Sequence, residues 1–229
     1  MRGKTVSFYF ALINISILFI LPSCSIIKVD DKTLLIYARA KNLYAEGRFS
    51  ETIAALSRKN AGIKADFFIP ALILRGKSEY FSGRLNDAEK TFRHALLLRP
   101  SQIEASLYIA NILRETGRNA AAQKITEALL ADDPSNIRAL RLAADLSRIS
   151  AGKDTQSVLD GAAMAFLDRA VSVSEESAMV FLDRARLLWI NGQYNAALSD
   201  LRRAKVLISN GGGLLKAVEN LENTIMRRN

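Results

Sequence analysis

Cysteine and histidine are nearly absent from this 229-residue sequence, which has one of each, Cys24 and His94. A single cysteine cannot close an internal disulfide. The lone His94 stands on an expected helix among Arg93 and Arg99 and not in a Ser-His-Asp arrangement, and one histidine with one cysteine makes no His/Cys set for zinc. Adjacent carboxylates such as Asp132 and Asp133, or Glu175 and Glu176, fall in expected turns, where they read as solvated caps and not as an acid/base pair. The glycines Gly211, Gly212 and Gly213 are not followed by Lys-Ser/Thr and have no flanking strand, so they read as a helix stop and not as a phosphate loop. No enzymatic activity, no metal and no cofactor are expected.

Long apolar runs are also missing, except at the start. Arg2 and Lys4 precede an almost continuous apolar stretch from Val6 to Leu21, which ends in Leu21-Pro22-Ser23-Cys24. A basic start, a short apolar core and a small residue before the cut describe a secretory signal. Its 16 residues, interrupted by Asn14 and Ser16, are short for a helix that needs about 20 to span a bilayer. The ending resembles the bacterial lipobox, which implies cleavage before Cys24 and a diacylglycerol- and palmitate-bearing cysteine. An uncleaved anchor is the alternative. Ser25, where sorting would place Asp for retention, implies an outer-membrane lipoprotein facing the periplasm. Losing residues 1–23 lowers the formal net charge from +9 to +7. A basic chain favours nucleic acid, anionic lipid or acidic partners, and export makes nucleic acid the least favoured of these.

From Thr33 onwards the sequence repeats. Gly83 and Gly117, Ala88 and Ala122, and Pro100 and Pro134 are each 34 residues apart. A fixed period of that size marks a repeat array. Within one unit the marks are Gly76, Gly83, Ala88, Phe92, Ala95 and Pro100, which together resemble the tetratricopeptide (TPR) pattern. The physical reason for small residues is helix approach, because side-chain size sets the interaxial distance. The eighth and twentieth positions of each unit should meet across a hairpin: Ala40 with Thr52, Gly76 with Ala88, Ala110 with Ala122, Ala144 with Ala163, Ala185 with Ala197.

The expected organisation is a signal peptide (1–23), a lipidated tether (24–32), an array (33–211) and a capping helix (212–229). The array divides into 33–68, 69–102, 103–136, 137–177 and 178–211. The first unit has a polar tail from Ser57 to Asp66 and lacks the terminal proline. In the second and third, Pro100 and Pro134 end the helices, and Ser101 and Ser135 can cap those that follow. The fourth carries an inserted loop at 150–157, either a surface insertion or a binding element. In the last segment Leu214, Val218, Leu221 and Ile225 form one apolar stripe opposite Lys216, Glu219, Glu222 and Arg227, as a terminal cap requires. Lys205 is expected on an exposed face. The fold class is all-α, and the resemblance implies a right-handed solenoid of about five helix-turn-helix repeats.

In that family the second, fifth, ninth and twelfth positions of each first helix face a concave groove. Carried onto this chain, these include Tyr37, Lys41, Tyr44, Lys77, Tyr80, Arg114, Arg138, Arg141, Arg148, Arg186 and Trp189. Arginine and aromatics are enriched at interface hot spots, although ordinary solvated helix faces carry the same residues. Ile73 and Leu142 fall where the family's chaperone-tail clamp needs polar groups, so that clamp is not reproduced. Four central guanidiniums should repel one another unless Asp145 or a partner supplies acid. The resemblance implies an exported, membrane-anchored adaptor or scaffold for protein–protein interaction in envelope complex assembly, with an acidic or C-terminal protein segment as partner. The alternative is an accessory small-molecule or hydrophobic-ligand protein beside a transporter. The sequence leaves the oligomeric state open.

Overall fold

A computed structural model describes residues 29–62, 65–66, 68–149, 156–208 and 212–227, with side chains between 156 and 160 left aside. The expected signal peptide, Cys24 and most of the tether lie outside the described residues, as does most of the 150–157 insertion. Among the described residues no helix is long and apolar enough to cross a membrane.

Twelve helices follow one another, with no strand among the described residues: α1 (Asp31–Ala45), α2 (Phe49–Ala55), α3 (Arg58–Ala61), α4 (Ile69–Phe81), α5 (Leu85–Leu98), α6 (Ile103–Glu115), α7 (Asn119–Asp132), α8 (Ile137–Ile149), α9 (Gln156–Val173), α10 (Ala178–Ile190), α11 (Tyr194–Leu207) and α12 (Gly213–Met226). The hairpins α1/α2, α4/α5, α6/α7, α8/α9 and α10/α11 pack internally and then against their neighbours in the chain. The result is an all-α solenoid in which each unit depends on the next to cover its apolar face.

The turn inside four of the hairpins has one geometry. Gly47, Gly83, Gly117 and Gly192 have φ between 73° and 75°, a left-handed conformation in which a Cβ would be strained. Gly83 N–H donates to Tyr80 O at 2.9 Å, and Arg84 N–H donates to Glu79 O at 2.8 Å. That pair of bonds satisfies the orphan carbonyls of the ending helix. The other end of the unit is set by proline: α5 stops at Leu98 before Pro100, and α7 stops at Asp132 before Pro134.

All ten residues expected to meet across the hairpins are buried. The closest fit is in the second unit. A Cβ on Gly76 would lie 2.8 Å from the Phe92 ring. Phe92 is fully buried and stacks on Tyr108 with centroids 4.9 Å apart, so it has little room to yield. At the far end Val218 and Ile225 of α12 are fully buried, while Lys216, Glu219 and Arg227 face solvent. The apolar stripe of α12 thus closes the core.

Four details differ from the sequence expectations. Ser101 does not cap α6, whose N-cap is Gln102 without a side-chain bond. Ser135 turns instead to Asp133, its hydroxyl donating at 2.6 Å, and Asn136 caps α8 by accepting from Ala139 N–H at 3.0 Å. The polar tail of the first unit is not all surface: it forms α3, and Ala61 and Ala65 are buried. Lys205 is not a free surface cation. It donates to Glu222 and so ties α11 to the capping helix.

Ion pairs also join successive units on the second-helix side. Glu89 of α5 receives Arg118 at 2.6 Å from the next hairpin, and the Arg118 and Arg93 guanidiniums hold its carboxyl below the usual glutamate range. Arg184 of α10 bridges Asp168 of α9 at 2.9 Å and Asp200 of α11 at 2.8 Å.

Two glycine substitutions test the packing. Alanine in place of helical glycine gains about 1 kcal/mol in propensity, whereas overpacking a core costs about 1–3 kcal/mol. Gly76→Ala is expected to lower stability by up to about 2 kcal/mol net, because its Cβ meets Phe92. Gly161→Ala, where nothing lies within 4 Å, is expected to raise stability by up to about 1 kcal/mol. Urea denaturation midpoints of the two variants should move in opposite directions.

Candidate functional site

The first helices α1, α4, α6, α8 and α10 line one face of the array. The eleven residues expected there do not form one continuous site, and the structure divides them into three groups.

At the N-terminal end Tyr37, Lys41, Tyr44 and Lys77 line a cavity of about 750 Å³ together with Phe68, Pro70, Ile73, Leu74, Arg99 and Glu104. Its floor is apolar: Phe68 meets Tyr37 edge-on at 5.1 Å, and Ile73 and Leu74 are buried beneath. Its rim is ionic. Lys77 Nζ lies 3.2 Å from Glu104 and 5.3 Å from the centre of the Tyr44 ring. Burial, the largest single influence, pulls the Lys77 ammonium down, but the hydrogen bond and charge of Glu104 together with the Tyr108 and Tyr44 phenols outweigh it and hold the group above the ordinary lysine value. Burial also raises the Tyr44 phenol, against the opposing charge of Lys77.

Next comes an aromatic run. Tyr80 lies edge-on to Tyr108 at 5.3 Å, and its hydroxyl donates to Glu115. Burial first, and then that carboxylate, push the Tyr80 phenol far above its usual range. Tyr44, Phe49 and Phe81 continue the run toward α1, with Phe49 stacked on Phe81 at 5.5 Å. The Arg138 guanidinium sits over the Tyr108 ring at 5.6 Å.

The remaining arginines form a network with two aspartates. Arg114 pairs with Asp145 at 3.1 Å, Arg141 with Asp183 at 2.6 Å, and Arg186 with the same Asp183 at 3.4 Å. Arg148 adds positive potential at Asp145. About half of the Asp145 side chain meets solvent, yet desolvation at its carboxyl outweighs Arg114 and raises it above the usual aspartate value. Two carboxylates thus answer Arg114, Arg141 and Arg186, while Arg138 lies over the Tyr108 ring. Asp145 is the expected internal source of acid; Asp183, from the following unit, is a second one. Trp189 is half-buried and packs against the C-terminal core around Phe181 and Leu201.

Glu104, Phe68 and Arg99 are not among the expected groove residues. Glu104 stands at the second position of its unit, so the register that selects Lys77 and Arg114 also selects it. Phe68 and Arg99 come from the connections before α4 and α6, which a register confined to first helices cannot reach. Ile73 and Leu142 are buried, so neither position can present a polar clamp. Among the described residues no cluster of His, Cys, Asp and Glu could hold a metal ion.

The sequence pattern of the tetratricopeptide repeat family matches residues 82–146. Solved structures resemble most of the chain at low identity. TTC0263, a tetratricopeptide-repeat protein of Thermus thermophilus, is 20% identical with a TM-score of 0.62, covering 69% of this chain and 84% of that one. PilF of Pseudomonas aeruginosa is 14% identical with a TM-score of 0.61, covering 87% and 86%. MamA of Desulfovibrio magneticus RS-1 is 18% identical with a TM-score of 0.59, covering 79% and 97%. No curated protein matches the sequence.

The Arg–Asp network makes a measurable claim. Asp183→Ala leaves Arg141 and Arg186 without their carboxylate. Arg141 is only 30% exposed, so stability should fall by about 1–2 kcal/mol, the scale of a lost hydrogen bond to a charged group. Asp183→Asn should recover part of the loss by retaining an acceptor, and chemical denaturation of the two variants checks this ordering.

Proposed function

We propose that this chain, whose residues 82–146 match the tetratricopeptide repeat family, acts as a protein-binding adaptor or scaffold held at a bacterial membrane by lipid on Cys24. The observation that carries the reading is the cavity between α1, α4 and the start of α6, where aromatic and aliphatic floor residues lie under a rim of Lys41, Lys77, Arg99 and Glu104. Apolar anchoring surface inside a polar rim is the anatomy of a protein interface. The first-helix face presents it on rigid elements.

The membrane part of the proposal rests on Leu21-Pro22-Ser23-Cys24. Asp31, where α1 begins, follows Cys24 by seven residues. Even fully extended, that tether reaches at most about 25 Å, which would keep the first unit close to the bilayer. Assembly of envelope complexes at the periplasmic face of the outer membrane is the setting we propose. A small-molecule role beside a transporter is the second reading. It is favoured by cavity size, since small-ligand pockets span about 300–1,000 Å³.

A photo-crosslinking side chain placed at Tyr37 should capture a discrete protein in intact cells, while one placed at Arg202, exposed on α11, should not. Equal capture at both positions, or none at Tyr37, overturns the adaptor reading. Small molecules found by native mass spectrometry in the purified protein would favour the second. Cys24→Ala should abolish palmitate labelling and leave a longer precursor. Labelling at the parent level would remove the lipid anchor from the proposal.

A further inference from the structure

The charges on the first-helix face are unevenly satisfied. Arg114, Arg141 and Arg186 are each held by an aspartate of this chain. Around the N-terminal cavity, Lys77 is held by Glu104, but Lys41 and Arg99 have no acidic partner among the described residues. Both are exposed and both line the cavity. Among the described lining residues Glu104 is the only acid, against Lys41, Lys77 and Arg99, which leaves two positive charges over. They stand above a floor of Tyr37, Phe68, Ile73 and Leu74.

We infer that this cavity, and not the central arginines, is a subsite for an extended peptide segment in which an aliphatic or aromatic side chain lies next to carboxylates. The inference rests on the adaptor reading and narrows it to one place and one chemistry. The apolar side chain enters between Tyr37 and Ile73. Lys41, on α1, and Arg99, on the connection before α6, take the flanking carboxylates. Lys77 is already tied to Glu104 and to the face of Tyr44, so it fixes the cavity wall and does not compete for the ligand. A segment with no apolar side chain leaves the floor wet. One with no acid leaves the surplus charge of the rim unmatched.

The test uses the full chain after signal removal and short fluorescein-labelled peptides in which leucine or phenylalanine is flanked by glutamates. Control peptides carry glutamine in place of glutamate, or serine in place of the apolar residue. Fluorescence anisotropy should show the acidic apolar peptide binding at least about tenfold more tightly than either control, and weakening as salt rises. The double variant Lys41→Glu with Arg99→Glu should lose that preference while keeping the parent melting temperature, since both side chains are exposed and unpaired. The double variant Arg141→Gln with Arg148→Gln, which keeps a donor at each position, should retain it at a temperature at which the protein is still folded. Equal binding of acidic and glutamine peptides, or an unchanged preference in the Lys41/Arg99 variant, overturns the subsite. So does loss of the preference only in the Arg141/Arg148 variant, which would return binding to the central arginines. If anionic phosphatidylglycerol vesicles bind in a Lys41/Arg99-dependent way and the peptides do not, the cavity is a lipid contact and the inference falls. Cellular crosslinking at Tyr37 together with failure of every peptide would leave the adaptor reading standing and remove only this subsite.

Discussion

Everything in this array depends on how closely the two helices of a hairpin approach. The approach is set at two positions per unit, and the second unit shows the constraint at its tightest, with Gly76 against the buried Phe92 ring. Phe92 in turn stacks on Tyr108 of the next unit. One absent Cβ therefore fixes both the hairpin and its neighbour. The left-handed glycines at the turns then bring the second helix back along the first, and in the second and third units proline stops it a fixed distance later.

Once the backbone spacing is fixed, the first-helix face becomes a set of presentation sites whose chemistry can vary without disturbing the core. The chain uses this freedom unevenly. Its N-terminal end leaves a cavity, its middle is filled by stacked aromatics, and the stretch from α6 to α10 is filled by paired charges. Half-buried arginines paired with aspartates hold neighbouring first helices together as well as decorating them. The ties Glu89–Arg118 and Arg184–Asp168 join neighbouring units on the opposite side.

Much of this was legible in the sequence, because a repeated backbone leaves a repeated signature. The 34-residue offset located the turns, the small-residue pairs located the buried contacts, and the apolar stripe located the capping helix. What escaped depended on contacts between units. Asp183 reaches Arg141 across an interface whose register is shifted by the insertion in the fourth unit. Glu222 meets Lys205 only because α12 docks on α11. Ser135 looked like a helix cap, but the Asp133 carboxylate two residues earlier is the better acceptor for its hydroxyl, leaving the cap to Asn136. Ala61 is buried where α3 packs on α1, its carbonyl accepting from the Thr33 hydroxyl at 3.4 Å, a contact that no local pattern records.

The same pairing decides where an acidic partner can be held. At the middle of the face, a ligand carboxylate must displace Asp145 or Asp183, which are tethered to the same array and so act at high effective concentration. Arginine suits a carboxylate well, but that suitability is already used within the chain. At Lys41 and Arg99 no carboxylate of the described residues is paired with the cation, and an apolar floor lies directly beneath. Residue type alone points to the arginine-rich centre. Rim cations with no carboxylate of their own among the described residues, standing over an apolar floor, point to the lysine-bearing end, beside the segment that begins α1.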